Sequence, residues 1–380
     1  MRILFTGGGT GGHFFPILAV IRELKRIAAE ELILDLELFY AGPDEFGKEL
    51  LREEEVAVIP GISGKMRRYF SLLNVVDFLK IPLGILQAIV RMFLLMPDVV
   101  FSKGGYGALP TVIAAAIFRI PLIIHESDAA PGKVNMFSRR FAAKIGIAFT
   151  EAADFFPEEK TAKVGVPVRK RILGATRGSA RENLGLISSL PAVGFLGASQ
   201  GAQKLNDAVL GVLKELTSEF EILHQTGADN LEDVKDEASV ILRGFHPERY
   251  HLFGFLKEND MRDFYAASDL VLSRAGASSI FEIAAWGKPS ILLPLGNAAQ
   301  DHQRKNAYEY AGAGACIIIE EDNLTPHLLF AEVKKALDDT SLMRKMGEAA
   351  QRFSRIDSAE VIAREILSLA LHIKSGTQMK

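Results

Sequence analysis

Short apolar runs alternate with longer amphipathic ones along this 380-residue chain. The runs at 2–6, 32–40, 57–59, 98–101, 122–125 and 145–148 have strand length. Between them, 15–30, 46–54, 72–95, 108–117 and 131–141 repeat their apolar residues at helical spacing. Pro16 suits a first helical turn, and Pro82 marks a candidate kink. The pattern then restarts, with strands at 191–196, 221–225, 251–254, 270–273, 290–294 and 315–319, and helices at 204–216, 260–267, 279–286 and 303–311. Such alternation implies crossover connections and parallel sheets. The break falls in 162–190, where glycine, arginine and short polar stretches mix. The expected fold is α/β, in two domains at 1–163 and 164–355 whose halves face each other across a cleft. A helix at 326–346 follows, and the last helix, 356–371, is expected to pack back on the first domain.

Composition supports a folded protein: 48% of residues are hydrophobic and 24% charged, outside the range of disordered chains. A net charge of −3 argues against a generic nucleic-acid binder. The single cysteine, Cys316, excludes a disulfide framework or a cysteine-rich zinc site and fits a reducing compartment. MRILFTGGG enters a strand and a glycine loop directly, so no signal peptide is expected. No apolar stretch reaches the ~20 residues a membrane span needs. The nearest, 81–96, is interrupted by Gln87 and Arg91 and reads as a core helix. Charge is uneven, however: from Pro60 to Thr150 eleven Lys and Arg face four acids. Lys65, Arg67, Arg68 and Lys80 there interleave with Tyr69, Phe70, Leu72, Leu73 and Phe78. That pattern fits an anionic membrane surface and equally a solvated basic face over a buried stripe.

The candidate chemistry sits in glycine-rich stretches that follow strands. GGGTGGH at 7–13 contains G-x-G-x-x-G, a weak dinucleotide signal that lacks the acidic residue closing a second strand. Its histidine, His13, lies where open α/β sheets bind ligands, and an unperturbed imidazole, with a pKa near neutrality, can take a proton from a hydroxyl. SKGGYGALP at 102–110 offers backbone N–H groups and Lys103 to an anion, or forms a tight turn only. IIHESDAAPG at 123–132 places His125, Glu126 and Asp128 on one sheet edge as sugar ligands or proton carriers. GASQGAQKLN at 197–206 repeats the strand–glycine–helix pattern in the second half. SRAGASSIFEIAAWGKP at 273–289 opens a helix with small residues. There Ser279 and Glu282 read either as a capping box or as diphosphate and ribose contacts. In 298–307, Gln303 is either a sugar contact or simply exposed.

Taken in order, GGGTGGHFFP, GGYGALP, HESDAAPG, GVPVR, GASQGAQKLN, SRAGASSIFEIAAWGKP and DHQRKNA resemble the MurG-type glycosyltransferases, the membrane-associated N-acetylglucosaminyltransferases of peptidoglycan synthesis. The resemblance runs from Met1 to about Ala315. It implies the GT-B fold of two Rossmann-like domains, with UDP-N-acetylglucosamine mainly on the second domain. The acceptor, undecaprenyl-diphosphate-linked muramyl pentapeptide, would be held by the first domain at the cytoplasmic face of the membrane. Transfer would be inverting and form a β-1,4 bond. By the resemblance, Thr10, Gly11 and Gly12 contact the donor or a diphosphate, Arg169 lies near the donor phosphates, and Ser199 contacts the diphosphate. Leu256 reads the uracil through its backbone, Ala277, Ser278, Ser279 and Glu282 take phosphates and ribose, and Gln303 the sugar hydroxyls. Gly104, Gly105 and Tyr106 are the expected acceptor-diphosphate contacts. Two residues depart from the family pattern: Asp128 stands in place of Asn, and Val166 in place of the Asn of GNPVR. A carboxylate cannot donate as an amide does, which bears on donor-sugar contact at Asp128.

For this chemistry His13 is the first choice of base and Glu126 the second. Helix N-termini at Ser279 and after Gly201, with Arg169, would stabilise the leaving diphosphate, and with no Asp-x-Asp motif no metal or cofactor is called for. Rival readings are a transferase with a diacylglycerol acceptor, a UDP-sugar epimerase of similar architecture, a dinucleotide oxidoreductase, and a non-catalytic sugar-nucleotide sensor.

Overall fold

The computed structural model describes residues 1–8, 11–43, 47–61, 72–197, 202–296 and 301–377. The chain divides into two compact units, Met1–Val168 with Arg355–Lys380, and Arg169–Ser354.

The first unit holds strands β1 (Arg2–Thr6), β2 (Glu37–Gly42), β3 (Ala57–Pro60), β4 (Val99–Ser102), β5 (Leu122–Glu126), β6 (Lys144–Ile147) and β7 (Thr161–Lys163). They form one parallel sheet in the order β3-β2-β1-β4-β5-β6-β7. Its helices are α1 (Gly11–Glu30), α2 (Lys48–Glu53), α3 (Leu72–Leu95), α4 (Leu109–Ile117) and α5 (Lys133–Ser138). The second unit holds α6 (Arg177–Asn183), β8 (Ala192–Leu196), α7 (Gln203–Leu210), α8 (Leu213–Glu219), β9 (Glu221–Gln225), α9 (Leu231–Ile241), β10 (Tyr250–Phe253), α10 (Glu258–Ala267), β11 (Leu270–Ser273), α11 (Ala277–Ala285), β12 (Ser290–Leu292), α12 (His302–Gly312), β13 (Cys316–Ile318), α13 (Pro326–Asp338) and α14 (Thr340–Phe353). Its sheet is also parallel, in the order β10-β9-β8-β11-β12-β13. The last helix, α15 (Ser358–Thr377), belongs to the first unit.

The two-residue repeat of the strands explains the layering. Ile3, Phe5, Val99 and Phe101 face one side of the first sheet and pack with α1 and α15. Leu4, Val100, Leu122 and Ile124 face the other and pack with Met92 of α3 and Val112 of α4. On α15, Ala359, Ile362, Ala363, Ile366, Leu367 and Ala370 form an apolar stripe at helical spacing, all buried against that first face. Burial of Ile362, Ile366 and Leu367 stabilises this return by about 1.5–3 kcal/mol each. Ser358 Oγ at its start donates to Gly165 O at 3.1 Å.

The sequence pattern merges elements that the structure separates. The helix expected at 204–216 is two, α7 and α8, broken at Gly211 and Val212. A Cβ at Gly211 would stand 2.7 Å from Pro326 Cγ, so α13 passes too close for any larger residue. The helix expected at 326–346 is α13 and α14, separated at Asp339, whose carboxylate caps α14 by accepting from Leu342 N at 2.9 Å. Pro82 lies inside a continuous α3. The strand β7 and helices α6 and α9 lack a predicted counterpart.

Candidate functional site

In each parallel sheet the strand order reverses beside its first strand, between β1 and β4 and again between β8 and β11. Open α/β sheets bind ligands at such switch points, outside the carboxyl ends of the strands. The glycine-rich stretches lie there, one set in each unit.

In the first unit the turns after β1 and β4 are packed so closely that side chains are excluded. A Cβ at Gly105 (φ 81°) would stand 2.6 Å from Gly8 O, and one at Gly107 would stand 2.9 Å from Gly7 O. Gly104 (φ 76°) lies against the Asn135 amide. These glycines are therefore required by backbone contact and by positive φ. Gly11 and Gly12 open α1, and His13 is its third residue. His13 Nδ1 lies 3.2 Å from Lys103 O. A carbonyl oxygen only accepts, so in the neutral ring Nδ1 carries the proton and the basic lone pair is on Nε2.

Behind this turn lies a buried charged cluster. The Lys103 side chain, 1% exposed, donates to Ser127 Oγ. Burial pushes its ammonium down to about 8, against the opposing charges of Glu126 and Asp128. Glu126, also buried, accepts from Asp128 N at 3.0 Å through Oε1, and from Gly132 N and Asn135 Nδ2, each at 2.9 Å, through Oε2. Burial first, and Asp128 second, raise its carboxyl above the usual range despite these donors. Both oxygens thus hold the turn after β5. His125 does not join Glu126 and Asp128 at the sheet edge as expected. It is fully buried with Nε2 2.7 Å from Gly165 O, and burial holds its imidazole well below the usual range. The alternation along β5 turns it to the face opposite its neighbour. Asp128 and Tyr106 are half-buried, and Tyr106 lies in the helical turn before α4.

In the second unit the turn after β11 leads into α11. Gly276 is its N-cap, with Ala277 buried and Ser278 and Ser279 half-buried. Ser279 is thus the third residue of the helix, and the capping box that it formed with Glu282 on paper does not occur. Glu282 instead turns inward. Its Oε1 accepts from Arg169 Nη2 at 2.8 Å and its Oε2 from the Tyr265 hydroxyl at 3.2 Å. Arg169, 4% exposed, also lies 3.6 Å from Glu258. Gln303 accepts Leu295 N at 3.1 Å, bracing the segment before α12. Leu256 is buried just after β10. Thr10 and Ser199 lie outside the described residues, as do Lys65, Arg67, Arg68, Tyr69 and Phe70.

Sequence reasoning passed over a second ion pair at this edge. Arg274 Nη2 lies 2.7 Å from Glu321 Oε1, both nearly buried. Arg274 stands in the SRAGAS stretch directly after β11, which was one available signal. Glu321, in an acidic run after β13, carried none. Among the described residues no cluster of three or more His, Cys, Asp or Glu is placed to hold a metal ion.

Two family models match in tandem: the glycosyltransferase family 28 N-terminal domain over residues 3–147 and its C-terminal domain over 192–362. A protein of Legionella pneumophila (strain Lens), named UDP-N-acetylglucosamine–N-acetylmuramyl-(pentapeptide) pyrophosphoryl-undecaprenol N-acetylglucosamine transferase, is 36% identical over 378 residues, covering 98% of each chain. The crystal structure of Acinetobacter baumannii MurG superposes with a TM-score of 0.72 at 26% identity, covering 97% of this chain and 99% of that one. A UDP-GlcNAc 2-epimerase from Neisseria meningitidis, solved with UDP-GlcNAc, superposes with a TM-score of 0.66 at 14% identity, covering 97% and 100%. At that identity it shares the fold alone.

Proposed function

We infer the reaction from the fact that the chain belongs to glycosyltransferase family 28. It transfers N-acetylglucosamine from UDP-N-acetylglucosamine to the lipid-diphosphate-linked muramyl pentapeptide, with inversion and a β-1,4 product. The observation that carries this reading is the 36% identity, over 98% of both chains, to a transferase named for that donor and acceptor. The epimerase alternative rests on shared architecture at 14% identity.

The first unit binds the acceptor and the second the donor. His13 is the base: with Nδ1 bonded to Lys103 O, Nε2 is the basic nitrogen that takes the proton of the attacking hydroxyl as it reaches the anomeric carbon. Glu126, its carboxylate engaged by three N–H donors, shapes the turn that carries Asp128. The N–H groups at the glycine turn of Gly104 and Gly105, with Tyr106, meet the acceptor diphosphate, and Gly11, Gly12 and Thr10 are assigned to the donor or a diphosphate. On the second unit the start of α11 at Ala277, Ser278 and Ser279, with Ser199, holds the donor diphosphate as its charge grows. Arg169 orients Glu282 toward the ribose, Gln303 meets sugar hydroxyls, and the Leu256 backbone reads the base.

The acceptor's lipid tail stays in the bilayer, so the first unit docks there. Among the described residues no helix is long and apolar enough to cross a membrane. Leu83, Leu86, Val90, Phe93 and Leu94 of α3 are instead exposed by 51–73%. That face lies shallowly in the headgroup region, and the basic residues Lys65, Arg67 and Arg68, close to it in sequence, are assigned to anionic lipid.

One assay tests the reading. Labelled N-acetylglucosamine transfer is followed from its UDP donor to the lipid-diphosphate acceptor, embedded in neutral or in anionic vesicles. Transfer is expected in both and faster on anionic vesicles at low salt. Transfer only to diacylglycerol, or donor turnover without lipid, overturns it, and equal rates on both vesicles overturn the docking.

A further inference from the structure

The carboxylate of Glu321 gathers three segments of the second unit. Through Oε1 it binds Arg274 Nη2 at 2.7 Å, and through Oε2 it accepts Gly296 N at 3.2 Å and lies 3.7 Å from Lys204 Nζ. Each partner leads into a different expected donor contact. Arg274 stands two residues before Gly276, the N-cap of α11. Lys204 is the second residue of α7, just after the GASQG stretch. Gly296 adjoins Leu295, whose N–H is bonded to Gln303.

Glu321 and Arg274 are each about 8% exposed, so neither charge is well hydrated. A carboxylate at that depth persists only where donors surround it. Burial opposes its ionisation, but the Arg274 and Gly296 hydrogen bonds and the charges of Arg274 and Lys204 prevail and hold it below the usual carboxylate range. Arg274 is braced from its other side by Leu293 O at 3.4 Å, and Asn306 Nδ2 donates to Ala275 O at 3.3 Å in the same turn. Lys204 differs, being 60% exposed and only loosely held.

We propose that Glu321 is a positioning residue for the nucleotide-sugar donor, setting the turn before α11, the first turn of α7 and the backbone at Leu295 and Gly296 in the register that receives the diphosphate. It acts through Arg274 and the Gly296 amide and does not touch the ligand. Without it, the Arg274 guanidinium is left buried with a carbonyl partner and must move, carrying the α11 start with it. Displacements of that kind near a bound group are costly in rate and affinity.

This rests on the donor-binding reading above, and the experiment separates the two. UDP affinity is measured by calorimetry, and the KM for donor and for acceptor by transfer assay, in the parent, Glu321→Ala and Glu321→Gln. For Glu321→Ala, UDP affinity should fall about tenfold and donor KM rise in step, with acceptor KM unchanged. Glu321→Gln keeps an oxygen for Arg274 or Gly296 and should stay within about threefold of the parent. Unchanged UDP affinity in Glu321→Ala, or equal loss toward donor and acceptor with a lowered melting temperature, overturns the positioning role. Absence of UDP binding in the parent overturns the donor reading instead. Should Glu321→Ala not fold, Glu321→Asp carries the test: the retracted carboxylate should weaken UDP binding too, and parental affinity refutes the proposal.

Discussion

The two sheet edges share one strand-order pattern but handle buried charge in opposite ways. At the second unit's edge, charges are buried in pairs. Arg169 meets Glu282 at 2.8 Å and Arg274 meets Glu321 at 2.7 Å. The Glu321 carboxyl sits below its usual range despite burial. At the first unit's edge, Lys103 donates to a neutral hydroxyl and Glu126 accepts from neutral N–H groups. Both are pushed toward neutrality, Lys103 down to about 8 and Glu126 upward. Compensated pairs make a rigid frame for a ligand that brings fixed negative charge. Groups held by neutral partners near a histidine are the setting that the proposed proton transfer needs. One topology thus carries two electrostatic designs, which fits the proposed proton-taking acceptor side and charge-holding donor side.

The largest effect should come from the proton-taking side. His13→Ala is expected to lower kcat by roughly 10²–10⁴-fold while UDP binding survives. Calorimetry with UDP alongside single-turnover transfer checks both halves. A folded variant with near-parental turnover removes His13 as base and promotes Glu126, despite its full set of hydrogen bonds.

How far this contrast was legible differs by level. The α/β fold with parallel sheets was readable because strands such as 2–6 and 221–225 are short apolar runs between amphipathic helices, and the structure has them at those bounds. Helices α6 and α9 were missed because Arg177–Asn183 and Leu231–Ile241 are mostly polar and bury only a few residues. His13 and the glycine turns stood out because a motif concentrates them within a few positions. The ion pairs did not, since Arg169 and Glu282 lie 113 residues apart and no local spacing joins them. Glu282 admitted a cap reading beside the ribose one because Ser279 fitted the pattern. Gly276 starts the helix instead, which turns Glu282 toward Arg169 and Tyr265.

Breaking a pair on the donor side comes next in size. Glu282→Ala strands the Arg169 guanidinium in a nearly closed pocket, a loss of about 3–5 kcal/mol in stability for a fully buried pair. Glu282→Gln keeps an acceptor for Arg169 and should fold, so it isolates the ligand role. It should bind UDP more weakly and discriminate less between UDP and its 2′-deoxy analogue, because a carboxylate accepts from ribose hydroxyls more strongly than an amide. Parental UDP affinity and discrimination in the folded variant would show that Glu282 serves the frame alone.

The smallest effect, and the most direct probe of the contrast, is the pH dependence contributed by Lys103. In the unfolded chain a lysine keeps its proton to about 10.4. In the fold Lys103 releases it near 8. Between those values the unfolded state binds more protons, so this residue makes stability rise with pH from about 8 to 10.4. Below 8 its full destabilising contribution is present, on the order of 3 kcal/mol by the same linkage. Lys103→Met fills the site without a charge and keeps the backbone carbonyl that holds His13. Unfolding free energies of parent and variant, measured in denaturant from pH 7 to 10.4, should therefore converge as pH rises, with the variant ahead at pH 7. Parallel curves would mean that Lys103 is compensated by Glu126 and Asp128 as fully as Arg274 is by Glu321, and the two edges would then share one electrostatic design.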